Sequence, residues 1–236
     1  MSGELQGRVV VISPHLDDAV LSLGALIAAG VRGGAAVEIL TVFAGDPASE
    51  TPSGPWDLKS GFTSEGHAAR VRREEDRTAC AILGATPGWL AFADVQYDRH
   101  GGEREIGAAV AAATAGADVV MLPGAPLLNP DHAWLSGLLL RTGVDCGRVA
   151  LYAEQPYRFQ HRKERPPLSV AASLRPWLQS EPVWRFVPAG SGDRDSKHRA
   201  ALAYRSQLRQ LGLRFLGLRR LLRHEHSRGG EAIAWL

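Results

Sequence analysis

The sequence predicts a single α/β domain with a mostly parallel β-sheet flanked by helices. In the first half, short apolar runs alternate with longer stretches of helical periodicity, which is how βαβ units read in a chain. Those apolar runs are continuous rather than alternating in polarity, as in strands covered on both faces. The length of 236 residues is one that a single domain of this class commonly fills.

The elements follow in order. Residues 8–13 (RVVVIS) are β-branched and unbroken, a first strand. Residues 18–29 read as a helix, with Val20, Leu23, Leu26 and Ile27 on one stripe and Gly30 as its stop. Residues 37–43 (VEILTVF) are the second strand. Residues 44–66 are rich in Gly, Pro, Ser and Thr around the isolated Trp56 and Phe62, and a loop of that length in a compact domain usually has a function or moves. Helix returns at 68–83, closed by Gly84. A short strand is expected at 89–92, an Ala-rich helix at 103–115 and a buried strand at 118–122 (DVVML). A loop at 123–131 leads into a helix at 132–140 and a strand at 148–153. Residues 158–167 (RFQHRKERPP) are basic with a Pro pair, an exposed excursion. Residues 196–223 form one long amphipathic helical pattern, with Leu202, Leu208, Leu211, Phe215, Leu218 and Leu222 apolar and a break expected near Gly212 or Gly217.

Composition excludes several classes. With 45% hydrophobic and 22% charged residues the chain is neither disordered nor fibrous. A net charge of +2 implies no polyanionic partner, so no nucleic acid is expected. The arginines from Arg205 to Arg228 read as the solvated face of a helix. Cys80 and Cys146 build no disulfide framework or metal cluster, and Cys80 falls on a core stripe. No leader pattern and no membrane-length apolar run is present, so a cytoplasmic enzyme without stable membrane insertion is expected, with a homo-oligomer compatible.

The chemistry is concentrated in Ser13-Pro14-His15-Leu16-Asp17-Asp18, between the first strand and the first helix. In open α/β sheets ligands collect beyond the carboxyl ends of the strands. His15 and Asp18, three apart across a tight turn, can converge on one ion. After DVVML a second such point occurs, where Asn129-Pro130-Asp131-His132 opens a helix and offers His132 as a third ligand. Two imidazoles and a carboxylate with a vacant position suit Zn2+, with Fe2+ the alternative. Asp17 then stands beside the ion without a ligand role, the natural general base for an attacking water. The plainer reading of Asp17 and Asp18 is that they cap the following helix.

The stretch SPHLDDAVLSLGALIA resembles the Pro-His-x-Asp-Asp signature of the PIG-L (LmbE-like) N-acetylglucosaminyl deacetylase family. Further matches run in order to residue 207. Arg72-x-x-Glu75 is similar to the family's next helix, Asp94-x-x-Tyr97-x-Arg99 to its Asp-x-x-Tyr-x-Arg segment, Asn129 to His132 to its Asp-His metal motif, and KHRAALAYRSQ to its late Lys and Tyr-x-Ser-Gln helix. The resemblance implies a Rossmann-like fold, a mononuclear zinc site on His15, Asp18 and His132, Asp17 as base, and an N-acyl amino sugar or glycoconjugate as the small-molecule substrate. It also implies that Arg72 and Asp94 meet the sugar.

Two departures stand out. Many members carry His where this chain has Asn129, and an Asn amide can donate to an oxyanion but cannot change charge with pH. Many carry Glu where this chain has Ala19. His226 is a second candidate for the missing donor, and His198 and His224 fit no ligand spacing. The 44–66 loop is expected either to act as a lid, with Trp56 or Phe62 stacking on a sugar, or to fold back as an anchor. Besides acetamide hydrolysis, three readings remain open: an amidase for a larger sugar-conjugate amide, a non-catalytic carbohydrate-binding relative that keeps the metal, and an Fe2+ oxygenase.

Overall fold

The computed structural model describes residues 4–98, 102–161 and 168–236, with the Phe215 side chain also outside the description. Among these, seven strands form one sheet: β1 (Arg8–Ser13), β2 (Ala36–Thr41), β3 (Thr86–Trp89), β4 (Ala117–Ala125), β5 (Cys146–Ala153), β6 (Arg185–Val187) and β7 (Glu231–Trp235). Their order is β3-β2-β1-β4-β5-β7-β6. The first five pair in parallel, whereas β7 runs antiparallel to both β5 and β6. The chain leaves β1 for β2 on one side and later returns with β4 on the other, so a crevice opens beyond the ends of β1 and β4.

The helices are α1 (Asp18–Arg32), α2 (Pro55–Lys59), α3 (Glu65–Leu83), α4 (Glu103–Thr114), α5 (Pro130–Thr142), α6 (Tyr157–Gln160), α7 (Ser191–Ala201), α8 (Arg205–Leu208) and α9 (Phe215–Ser227). Successive residues of a strand face opposite sides of the sheet, and the core divides accordingly. Val9 and Val11 of β1, with Val119 and Met121 of β4, pack against α1, α3, α7 and α9. Val10, Ile12, Val120 and Leu122 pack against α4, α5 and the short 3-10 turn Ala172–Trp177. None of the described helices is long and apolar enough to cross a membrane.

Several boundaries differ from the sequence reading. The strand expected at 89–92 lies at Thr86–Trp89, where it pairs with Glu38 to Thr41 as an edge strand. Pro87 falls within it, which an edge position tolerates because the missing N–H there breaks no inner ladder. The expected helix at 196–223 is three pieces, α7, α8 and α9. The chain breaks around Tyr204 because its hydroxyl reaches Asp76 of α3 at 2.6 Å, and again at Gly212, whose φ of +68° suits a residue without a Cβ. All three pieces still contribute buried residues to one face, including Ala200, Leu208 and Leu218. The expected 44–66 loop contains α2, and the basic excursion begins as the helical turn α6. Its residues 162–167 and Arg99 lie outside the described residues. β6 and β7 had no counterpart in the reading.

Candidate active site

The turn after β1 sets the first half of the site. Asp17 has φ +152° and ψ −26°, a backbone conformation that a side chain rarely adopts and that is found where a site holds it in place. Its carboxylate makes no capping bond. The Oγ of Ser13 accepts the N–H of Ala19 at 3.0 Å instead, and Asp18 Oδ2 accepts the N–H of His15 at 2.9 Å. Both aspartates are buried.

The turn after β4 brings the second half. Asn129 caps α5 by accepting the N–H of Asp131 at 2.9 Å, and Pro130 starts the helix. His132, in the first turn of that helix, is fully buried. Its Nε2 is 3.0 Å from Nδ1 of His15 and 3.1 Å from Oδ2 of Asp18, and His15 Nδ1 is 3.4 Å from that same oxygen. Two ligands bound about 2.0–2.1 Å from a tetrahedral ion stand about 3.3 Å apart, so these three atoms have the mutual spacing a divalent cation requires. His15, Asp18 and His132 are the group that could hold a metal among the described residues.

The ring nitrogens left over are also engaged. His15 Nε2 faces Asp131 at 3.4 Å, and His132 Nδ1 bonds Glu154, the residue directly after β5. Carboxylates behind ligating imidazoles fix their tautomer and orientation. In the cation-free cluster burial works against charging His15, but Asp131 and Asp18 outweigh it and push its pKa up to about 9. Burial likewise opposes charging His132, and Asp18 and Glu154 raise it well above the usual value. Burial and then the Asp18 charge hold Asp17 well above the carboxylate range. Burial favours the neutral form of Asp18 too, yet the two imidazoles carry its pKa below the ordinary value. A cation entering the cluster therefore displaces protons.

His15, Asp17, Asp18 and Asp131 line a cavity of about 210 Å³ that also exposes Trp56, Asp57, Arg72, Asp94, Asn129 and Tyr157. The predicted substrate residues Arg72, Asp94 and Trp56 are thus brought to the same cleft. Arg72 pairs with the buried Asp57 and lies over the Phe62 ring, 5.1 Å from its centroid. Asp94 accepts the backbone and side-chain N–H of Gln96 at 3.1 and 2.8 Å. Phe62 is buried and absent from the lining, so of the two loop aromatics it is the anchor and Trp56 the one that faces the cavity. His226 is exposed on α9 and does not line the cavity.

The family model described as GlcNAc-PI de-N-acetylase, PIG-L, matches residues 10–141, more than half of the chain. The chain belongs to the PIG-L family. A 2'-N-acetylparomamine deacetylase of Streptomyces fradiae is 32% identical over 191 residues, covering 72% of this chain; the chain spans 63% of that relative's length. The A40926 pseudoaglycone deacetylase superposes with a TM-score of 0.73 at 26% identity, over 97% of this chain and 96% of that one. A triple mutant of the deacetylase involved in teicoplanin biosynthesis gives 0.74 at 25% identity, over 97% and 96%.

The structure also gives the PIG-L segments a physical meaning. Ser206 donates to Glu75 from both N–H and Oγ, at 2.9 and 2.7 Å, and Gln207 donates to the carbonyl of Leu16 beside Asp17. Tyr97 donates to Asp57 at 2.6 Å. These late residues brace the cleft. Sequence reasoning missed Glu154 and Tyr157, because their place depends on β5 lying next to β4; a polar residue directly after a buried strand was the one signal for Glu154.

Proposed function

We propose that this chain is a zinc-dependent hydrolase that removes the N-acetyl group from an amino sugar or amino-sugar conjugate. The observation that carries the reading is the convergence of three donor atoms from two strand ends, 3.0–3.4 Å apart, beside the uncapped carboxylate of Asp17. Deacetylases among the similar proteins support it. His15, Asp18 and His132 would hold the ion. When bound, it supplies Lewis acidity, drawing electron density from the scissile carbonyl and making water more acidic.

The remaining steps fall to the chain. Asp17 accepts a proton from the attacking water on its carboxylate and then returns it to the leaving nitrogen, which departs as an amine. Burial and the neighbouring Asp18 charge raise its affinity for that proton. Asp131 and Glu154 hold the two imidazoles in their ligating orientation. Asn129 borders the position where charge develops on the acyl oxygen. Trp56 offers a ring face, Asp94 an acceptor and Arg72 a donor to the sugar. A cavity of about 210 Å³ is below the roughly 300–1,000 Å³ usual for drug-sized ligands, so it suits one sugar ring and a short acyl group, with any aglycone outside.

The test is amine release by zinc-loaded protein from 2'-N-acetylparomamine and from N-acetylglucosamine, against matched N-octanoyl compounds. Turnover of the acetyl compounds, abolished by chelation, is expected; turnover of the octanoyl compounds alone would favour the larger-amide reading. Asp17→Asn should lower the rate about 10²–10⁴-fold with the metal content unchanged. Undiminished hydrolysis after exhaustive chelation would sink the proposal, and a wild type with no turnover would point to the carbohydrate-binding reading.

A further inference from the structure

The segment that follows β5 touches His132 twice. Glu154 bonds its Nδ1, and three residues later Tyr157 meets the same imidazole edge to face, with ring centroids 5.7 Å apart at 81°. Tyr157 is half-buried and lines the cleft beside Asp17, Asp18 and Asn129. Its hydroxyl lies beside the Asn129 side chain, which acts to lower a phenol pKa that burial raises. Asn129 Oδ1 accepts the N–H of Asp131, so the amide nitrogen is the part left to face the phenol. An amide N–H donating to a phenolic oxygen leaves the phenol's own proton for another acceptor.

Several other donors around the cavity are committed. Tyr97 donates to Asp57, Gln96 to Asp94, and Gln207 to the Leu16 carbonyl, while Arg72, ion-paired with Asp57, is the donor assigned above to the sugar. We propose that the Tyr157 hydroxyl donates a hydrogen bond to the oxygen of the tetrahedral intermediate, and that Asn129 is a positioning residue that acts by holding the phenol. This rests on the hydrolase reading above. The phenol keeps its proton throughout; it stabilises the charge that forms when water adds to the carbonyl and releases it when the C–N bond breaks. A donor fixed in advance by a helical turn, an imidazole face and an amide is what such stabilisation requires. The role that many relatives' His fills is thereby met from a neighbouring strand end.

Three probes test it: 2'-N-acetylparomamine as substrate, its methylphosphonamidate as a tetrahedral mimic, and paromamine as product. Tyr157→Phe should lower kcat about 10²-fold with KM and zinc content nearly unchanged. It should weaken the mimic by a similar factor and leave paromamine affinity intact. The ratio of mimic to product affinity within one sample is independent of the folded fraction. Asn129→Ser, which keeps a capping oxygen, should also lower kcat, and the double variant should be no slower than Tyr157→Phe. An unchanged affinity ratio, a wild-type kcat in Tyr157→Phe, or losses that multiply in the double variant would each overturn the assignment. An active wild type with an equally active Tyr157→Phe sinks the phenol alone, whereas an inactive wild type sinks the hydrolase reading and this inference with it.

Discussion

The hydroxyl of Ser13 accepts the N–H of Ala19 at 3.0 Å and donates to the His15 carbonyl at 2.6 Å, which is the service a cap residue gives a helix start. It leaves Asp17 at φ +152° with its carboxylate turned to the cleft. Ser13→Ala removes that cap and a buried polar bond, so it should cost about 1–2 kcal/mol in urea unfolding while His15, Asp18 and His132 stay in place. The three proposed ligands make a second prediction. Imidazoles must be neutral to bind a cation, and His15 in the cation-free site holds its proton up to about pH 9. Raising the pH removes the competitor, so zinc affinity should climb towards that pH, and calorimetry in buffers of different ionisation heat should record released protons; a pH-independent affinity with no release would contradict it. His15, Asp17, Asp18 and His132 were legible in the sequence because each follows a buried strand and opens a helix. Tyr157 was not, because which side chain meets His132 from the third strand end is a matter of sheet order and not of spacing.

α1 begins at Asp18 with Asp17 at its N-cap, and a buried ionic cluster holds it. Lys197 of α7 bonds Glu225 of α9 at 2.8 and 2.9 Å and Glu231 of β7 at 2.7 Å, and Glu231 accepts the N–H groups of Ala25 and Leu26 in α1. A Cβ on Gly24 would come within 2.8 Å of the Lys197 stem, so α1 and α7 pack closely there. Removing the single cation strands two buried carboxylates, and Lys197→Met should cost about 3–5 kcal/mol. Burial, followed by the Glu231 charge and offset in part by Lys197, pushes Glu225 up to about 7. Its folded pKa lies above the ordinary carboxylate value, so the folded state keeps a proton that the unfolded chain has lost. That stability is complete at low pH and fades as pH rises through about 7. Urea melts should therefore show wild-type stability declining relative to Glu225→Gln between about pH 4.5 and 7, and parallel curves would remove Glu225 as the cause. The same cluster explains what the sequence hid at the level of elements. Glu231 opening a buried strand contradicts the usual apolar signature of β7, and the Tyr204 and Ser206 bonds to α3 split a helix whose leucine spacing alone runs on without interruption.

Across the whole molecule the parallel half of the sheet was readable because each strand is followed by a helix and right-handed crossovers leave few arrangements; the antiparallel edge was not, since β6 has three residues and pairs only through β7. That arrangement opens the cleft where β1 and β4 diverge, and the cleft is acidic. Among the described residues, Asp17, Asp18, Asp57, Glu65, Asp94 and Asp131 line it, with Arg72 as the one Lys or Arg. A divalent ion with Arg72 still leaves the carboxylates in excess. A cleft of one sign concentrates ligands of the other, and the effect fades as salt shortens the screening distance to below about 10 Å. Two acetamides separate this field from local contacts: 2'-N-acetylparomamine, which carries free ammonium groups beside its amide, and uncharged N-acetylglucosamine. For the first, kcat/KM should fall several-fold between about 0.05 and 0.5 M salt, while the second stays level. Asp94→Asn should flatten the first slope, because Asp94 is hydrogen-bonded to Gln96 and adds its charge to the cavity wall. Equal slopes for the two substrates would mean that the acidic lining serves the metal and the backbone, and does not select the substrate.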